Sequence, residues 1–156
     1  MQKQERYNAL RREIQSVLQG EADPCVWMAT LACLIREKLQ YFWVGFYRVV
    51  GNELAIGPYQ GTLGCLRISF DRGVCGACAT RRETVIVPDV HRFPGHIACD
   101  ARSKSEIAAP VFDRRGRLRA VLDIDSAELN AFDDCDRQNL EIIVDWMRDL
   151  EWPDTI

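Results

Sequence analysis

The stretch FWVGFYRVVGNELAIG, residues 42–57, decides the fold. Aromatic and β-branched residues fill Phe42–Val50, Gly51-Asn52 is a chain-reversing pair, and ELAIG resumes an apolar run. That pattern predicts two antiparallel strands joined by a tight turn. Toward the N-terminus, Tyr7, Leu10, Ile14, Val17 and Leu18 recur at helical spacing until Gly20 ends the run. Asp23-Pro24 then starts a second helix, with aspartate as N-cap and proline in the first turn. It carries Trp27, Leu31, Leu34, Ile35 and Leu39 toward a core. Toward the C-terminus, Glu106–Phe112 and Leu118–Asp125 read as strands of a second hairpin around DRRGR. Asp133 caps a last helix with Leu140, Ile143, Val144, Met147 and Leu150 on its apolar side. The middle, Gly57–Ser103, is rich in glycine and turn residues. It holds short strands at 65–70 and 84–87 and a short helix at 74–80. The expectation is one α+β domain over residues 1–156: a central antiparallel sheet flanked by N- and C-terminal helices, with a long functional middle segment.

The totals narrow the function. A chain of 156 residues suits one domain with a real hydrophobic core, and 47% hydrophobic with 28% charged residues is ordinary for a soluble globular protein. The net charge of -3, with both signs mixed along the chain, offers no basic stripe for nucleic acid or an anionic membrane. MQKQERYNALRREIQ has no apolar stretch like that of a secretory leader, and no apolar run reaches membrane-spanning length. These features point to the cytoplasm. Seven cysteines, an odd number, then argue against a static disulfide framework. Thiol chemistry, a metal or packing must account for them.

Alternation along Leu118–Asp125 puts Leu118, Ala120, Leu122 and Ile124 on one face and Arg119, Val121, Asp123 and Asp125 on the other. Glu106, facing opposite to Ile107, joins the two aspartates if the pairing register allows it. Such a trio is either a solvated sheet face or a cation site. No glycine-punctuated calcium loop surrounds it, so an organic ammonium is a better match than a hard metal. Trp43 and Tyr47, four residues apart on a strand, share a face. Strand aromatics commonly pack in cores. Beside carboxylates they would instead wall a site for a small molecule with an apolar body and a positive charge.

Among the cysteines, Cys25 and Cys33 fall in a largely apolar helix and read as core. Cys135 lies in the first turn of the last helix, with no partner nearby in sequence. Cys65, Cys75, Cys78 and Cys99 lie in the irregular middle. In GHIACDARSKSEI, residues 95–107, Cys99 sits among charges directly before Asp100, a setting for reactivity rather than packing. Cys75-Gly-Ala-Cys78 with His96-Ile-Ala-Cys99 has the C-x2-C, H-x2-C spacing of a zinc site. Against zinc, Cys78 falls in a helix of small residues and the knuckle turns of zinc ribbons are missing. CGAC also has the form of a thioredoxin-type redox pair, although no βαβ pattern surrounds it. Spacing alone leaves these readings open and gives His91 and His96 no catalytic role.

The ordered blocks WVGFY at 43–47, GPYQG at 57–61, GCLRI at 64–68 and GVCG at 73–76 continue through VPDVHRFPGHIACD at 87–100, SEI at 105–107 and GRLRAVLDIDS at 116–126. Over nearly its whole length the chain resembles the free methionine-(R)-sulfoxide reductases, stand-alone GAF-domain enzymes. The resemblance implies a GAF-like fold and an oxidoreductase acting on a sulfur group with disulfide as acceptor, part of the defence against oxidative damage. Cys99 would be the nucleophile and pass through a sulfenic acid, and Cys65 would close a disulfide with it, recycled by thioredoxin. Cys75 would be an auxiliary third cysteine. Trp43, Tyr47, Glu106, Asp123 and Asp125 would hold free methionine sulfoxide. No cofactor and no metal is implied, and a homodimer is the prior for so small an enzyme. Two departures stand out: Cys78 replaces a small residue such as alanine and offers Cys75 another disulfide partner, and GTLG before Cys65 is unusual. The rival readings are a non-catalytic GAF ligand-binding sensor module, for which 156 residues leave no effector domain, and a zinc-stabilised interaction domain.

Overall fold

Helix α1 (Lys3–Val17) and helix α2 (Pro24–Leu39) open the chain. In the computed structural model, which describes residues 2–96 and 99–154, Asp23 caps α2 by accepting a hydrogen bond from the Cys25 N–H, with Pro24 in the first turn. Strands β1 (Trp43–Val50) and β2 (Glu53–Gln60) form the expected hairpin around Gly51-Asn52. There follow β3 (Arg67–Ser69), α3 (Gly73–Arg81), β4 (Val85–Val87), a 3-10 turn at Val90–Arg92, β5 (Ser105–Phe112), β6 (Leu118–Ser126) and α4 (Asp134–Asp145). The six strands make one antiparallel sheet in the order β3-β2-β1-β6-β5-β4.

Period-two alternation sorts the sheet's side chains into two layers. Val44 and Phe46 of β1, Ile107, Ala109 and Val111 of β5, and Ala120, Leu122 and Ile124 of β6 pack against α1, α2 and α4. On the opposite face, Trp43, Tyr47, Ala108 and Val121 meet Val74, Cys75, Cys78 and Ala79 of α3. The first layer is a packed core, and the second contains the chemistry-bearing side chains.

Several sequence expectations need correction. Val17 is 57% exposed at the end of α1, and the apolar stripe of that helix closes with Leu18. Cys25 and Cys33 are exposed, not core. They lie eight residues apart on the outer side of α2, away from Trp27, Leu31, Leu34 and Ile35. Cys65 precedes β3 instead of lying in it, and Met147 and Leu150 are buried beyond the end of α4. Leu118 packs in the α3 layer, not with Ala120. The register explains it: Val111 pairs with Ala120 but Phe112 with Leu118, so Arg119 is an extra residue and the faces exchange there.

The two ends of the chain meet at one buried carboxylate. Asp136, fully buried in the capping box of α4, accepts hydrogen bonds from Tyr7 Oη (2.7 Å), Lys3 Nζ (2.7 Å) and the Asp133 N–H (2.9 Å). Burial, reinforced by that carboxylate, raises the Tyr7 phenol above its ordinary range and keeps it a donor. Tyr7→Phe leaves the ring packed but removes a bond to a charged acceptor. It is expected to lower the unfolding free energy by about 1.5–3 kcal/mol, read as a lower urea midpoint with an unchanged slope.

Candidate active site

The α3 face of the sheet narrows to a cavity of about 50 Å³ near the β1–β6–β5 strand ends. Glycines let its walls close. A Cβ on Gly45 would lie 2.4 Å from the Tyr59 Cβ and 2.6 Å from the Trp43 ring, so only glycine there lets Trp43 stack on Tyr59 at 5.3 Å between ring centroids. A Cβ on Gly76 would lie 2.8 Å from the Ser69 carbonyl, so glycine lets α3 approach the end of β3 and carry Cys75 inward. These contacts give WVGFY and GVCG a physical reason for their glycines.

Trp43 and Tyr47 share one face as expected, with ring centroids 6.1 Å apart. Asp125 pairs with Trp43 across one ladder and with Glu106 across the other, while Asp123 pairs with Gly45 and Ala108. The register therefore brings Glu106 beside both aspartates, and all three line the cavity with Trp43 and Tyr47. Glu106 is 6% and Asp123 5% exposed and Asp125 is half-buried, which makes the trio a largely buried cluster and not a solvated face. Burial first, then the neighbouring carboxylates, push Glu106 and Asp125 well above the usual carboxylate range. Burial raises Asp123 as well, opposed by hydrogen bonds from Glu106 and from the Cys75 thiol. Ser103 Oγ donates to Asp125 at 3.2 Å. Asp123 Oδ1 is buried without a hydrogen-bond partner among the described residues.

Cys75 is buried on α3 with its Sγ 3.9 Å from Glu106 Oε1. Burial and the acidic neighbours raise its pKa well above that of an ordinary thiol, and Cys78, one turn on, is raised by burial and Asp123. Cys99 is exposed, lines the cavity, and forms a disulfide with the half-buried Cys65, 34 residues away in sequence and 5.7 Å between Cα atoms. The zinc quartet suggested by spacing is therefore not assembled, since the Cys99 sulfur is bonded to Cys65. Among the described residues the set near enough to share a metal is Cys75, Glu106 and Asp123, whose ligand atoms lie within 4.8 Å of one another.

Sequence reasoning missed the latch holding the two cysteine loops together. Trp43 Nε1 donates to the Thr62 carbonyl (2.7 Å), and Thr62 Oγ1 donates to Asp100 Oδ2 (2.7 Å). Asp100 also accepts from the Arg102 N–H (2.9 Å) and from Arg102 Nη2 (2.7 Å). Hydrogen bonds from Arg102 hold the Asp100 carboxyl far below its usual range. The charge after Cys99 was visible in the sequence; its partner, 38 positions earlier, was not. Ser103 was missed as well, and His96, weighed from its spacing only as a zinc ligand, lines the cavity. Burial, with His91 nearby, lowers the His96 pKa and favours the neutral ring.

The GAF domain model matches residues 4–148. "GAF domain-containing protein A" of Dictyostelium discoideum is 44% identical over 91% of this chain and 90% of its own length. The free methionine-R-sulfoxide reductase of Escherichia coli (strain K12) is 40% identical over 92% of this chain and 87% of its own. The X-ray structure of free methionine-R-sulfoxide reductase from Neisseria meningitidis in complex with its substrate superposes with a TM-score of 0.91 at 40% identity, covering 95% of this chain and 89% of that one. The chain belongs to the GAF-domain family and, within it, to the group that contains the free methionine-R-sulfoxide reductases.

Proposed function

We propose that this chain is an oxidoreductase that reduces free L-methionine (R)-sulfoxide to L-methionine in the cytoplasm, using Cys99 as nucleophile and Cys65 as resolving thiol. The observation that carries this reading is the Cys65–Cys99 disulfide at the rim of a cavity containing three mutually perturbed carboxylic acids, two buried and one half-buried. The (R) epimer follows from the names of the relatives, since no distance in the site fixes handedness.

The substrate has an ammonium, a carboxylate, an apolar stem and a polar S=O. Asp123, with its unpartnered oxygen, and Asp125 receive the ammonium. Trp43 and Tyr47 flank the stem and methyl group. The substrate carboxylate is assigned to backbone N–H groups of the glycine-containing loop 95–99, of which residues 97–98 lie outside the described residues. A methionine sulfoxide inside a polypeptide lacks the ammonium, so the site selects the free amino acid. The oxidised cavity of about 50 Å³ has room for only a few waters, so the substrate enters the reduced form.

Glu106, the member of the trio in contact with both aspartates and pushed well upward, holds the proton. Attack of the Cys99 thiolate on the sulfoxide sulfur is accompanied by proton transfer from Glu106 to the oxygen. The protonated adduct then collapses: its new S–S bond and the substrate S–O bond break as the hydroxyl passes to the Cys99 sulfur, so methionine leaves and Cys99 becomes a sulfenic acid. The Cys65 thiol attacks that sulfur, water departs, and the disulfide forms; thioredoxin returns both sulfurs to thiols. Cys75, beside Glu106, is the auxiliary thiol and extends the proton-sharing cluster toward α3.

The test is thioredoxin-dependent turnover of the separated R and S epimers of free methionine sulfoxide, with zinc analysis of the same sample. R-selective turnover supports the reading. No turnover of either epimer, or one zinc per chain with no reducible disulfide, overturns it. In the same assay Cys65→Ser is expected to complete one turnover and then recycle with thioredoxin at least about tenfold more slowly. Unaffected recycling would move the resolving role to Cys75 or Cys78.

A further inference from the structure

Leu63 and Leu66 are the two most exposed large apolar side chains among the described residues, 75% and 66% exposed, and they flank Cys65. Isolated exposed leucines need no explanation. These two are three residues apart on either side of a disulfide whose other half, Cys99, is itself exposed. The remaining large exposed apolar residues, Val17, Val26, Leu129 and Ile142, lie on other elements. Leu66 is also held in place, because its carbonyl accepts a hydrogen bond from the Ile56 N–H at 3.0 Å. Immediately after it comes β3, one of the two edge strands of the sheet, with no strand beside its second edge among the described residues. An accessible disulfide, a fixed apolar patch and a free strand edge therefore coincide within a few residues.

We propose that Leu66, with Leu63 beside it, forms the docking patch for the protein dithiol that reduces the Cys65–Cys99 disulfide. The inference deepens the proposed function and rests on its recycling step. The partner is a protein with two neighbouring thiols at an apolar surface. Its apolar rim covers the leucines and brings its first thiolate onto Cys65, between them. That thiolate attacks the Cys65 sulfur, so a partner–Cys65 bond forms as the Cys65–Cys99 bond breaks. Cys99 leaves as thiolate and takes a proton. The partner's second thiol then attacks its own first sulfur, releasing Cys65 as a thiol. Two electrons pass from the dithiol to the chain, and the partner departs as a disulfide. A small dithiol needs no docking and gains nothing from the patch.

The test uses the intact oxidised chain and follows one round of disulfide reduction, with no methionine sulfoxide present. Failure of the catalytic reading, no turnover of the sulfoxide, is thereby measured separately. Leu66 does not line the cavity, so its variants leave the chemistry alone. Leu66→Ser and Leu66→Glu are expected to slow reduction by thioredoxin roughly tenfold, from loss of one well-buried apolar contact. Reduction by dithiothreitol should be unchanged, and Leu66→Met should restore the thioredoxin rate. Wild-type thioredoxin rates in Leu66→Ser and Leu66→Glu overturn the proposal. Equal slowing with both reductants also overturns it, since the residue would then govern the exposure of the disulfide and not recognition. Dissociation of a homodimer with unchanged reduction rates overturns it too, assigning the patch to a second copy of the chain.

Discussion

Cys99→Ser is expected to lower turnover of free methionine (R)-sulfoxide by at least about 10⁴-fold, because the variant loses the only atom in the scheme that can accept the substrate's oxygen. A serine hydroxyl is a far weaker nucleophile at neutral pH, and it cannot become a sulfenic acid or close a disulfide. The substitution has a second consequence that must be separated from the first. The native crosslink joins residues 34 positions apart and constrains the unfolded oxidised chain, a stabilisation of roughly 4 kcal/mol in the chain-entropy account. Cys65→Ser loses the same crosslink and keeps the nucleophile, so it is the control. Both serine variants should melt together, below the oxidised wild type. Only Cys65→Ser should accumulate a sulfenic acid at residue 99 when mixed with substrate, visible in intact mass after trapping with dimedone. Substantial steady-state activity in Cys99→Ser would remove this cysteine as nucleophile, and an unoxidised residue 99 in Cys65→Ser would remove the sulfenic intermediate.

How much of this site was legible in the sequence depended on whether the determining interaction was local. The first hairpin and the start of α2 were readable because Gly51-Asn52 and Asp23-Pro24 act within a few residues. The facing of Asp123 and Asp125 follows from alternation alone. Their union with Glu106 needed the β5–β6 register, which a chain with two turn-rich connections does not disclose. Leu118 changed faces because Arg119 bulges, and no composition signal marks an extra residue in a ladder. Cys25 and Cys33 misled because α2 is apolar around most of its circumference, so composition did not identify its outward face. The Cys65–Cys99 pairing was implied by family resemblance, since spacing by itself named no partner for Cys99 and left a zinc quartet among the alternatives. The Thr62–Asp100–Arg102 latch joins two loops through one hydroxyl, and only folded coordinates bring such groups together.

Glu106→Gln is expected to lower kcat by about 10²–10⁴-fold while making the protein more stable at neutral pH. The two effects have one origin. Glu106 is buried against Asp123 and Asp125, and its folded pKa lies well above that of an unfolded glutamate. The native state thus keeps a proton that the unfolded chain releases above about pH 4.3. The stabilisation from this group is full below that pH and is lost as pH rises through the folded pKa. Glutamine resembles the protonated acid in shape and still donates a hydrogen bond, but it has no charge to desolvate. The variant should melt roughly 2–6 °C higher near pH 8, with the difference vanishing near pH 4. Catalysis responds in the opposite direction, because an amide cannot surrender a proton to the departing oxygen. Wild-type kcat should fall as pH rises through the same raised pKa, and the residual activity of the variant should lack that limb. Asp123→Asn separates proton delivery from ammonium binding: its main effect should be a higher KM, with the alkaline limb of kcat retained. A Glu106→Gln enzyme with wild-type kcat, or with an alkaline limb still in place, would move the proton donor to Asp125, the other carboxyl held well above its usual range.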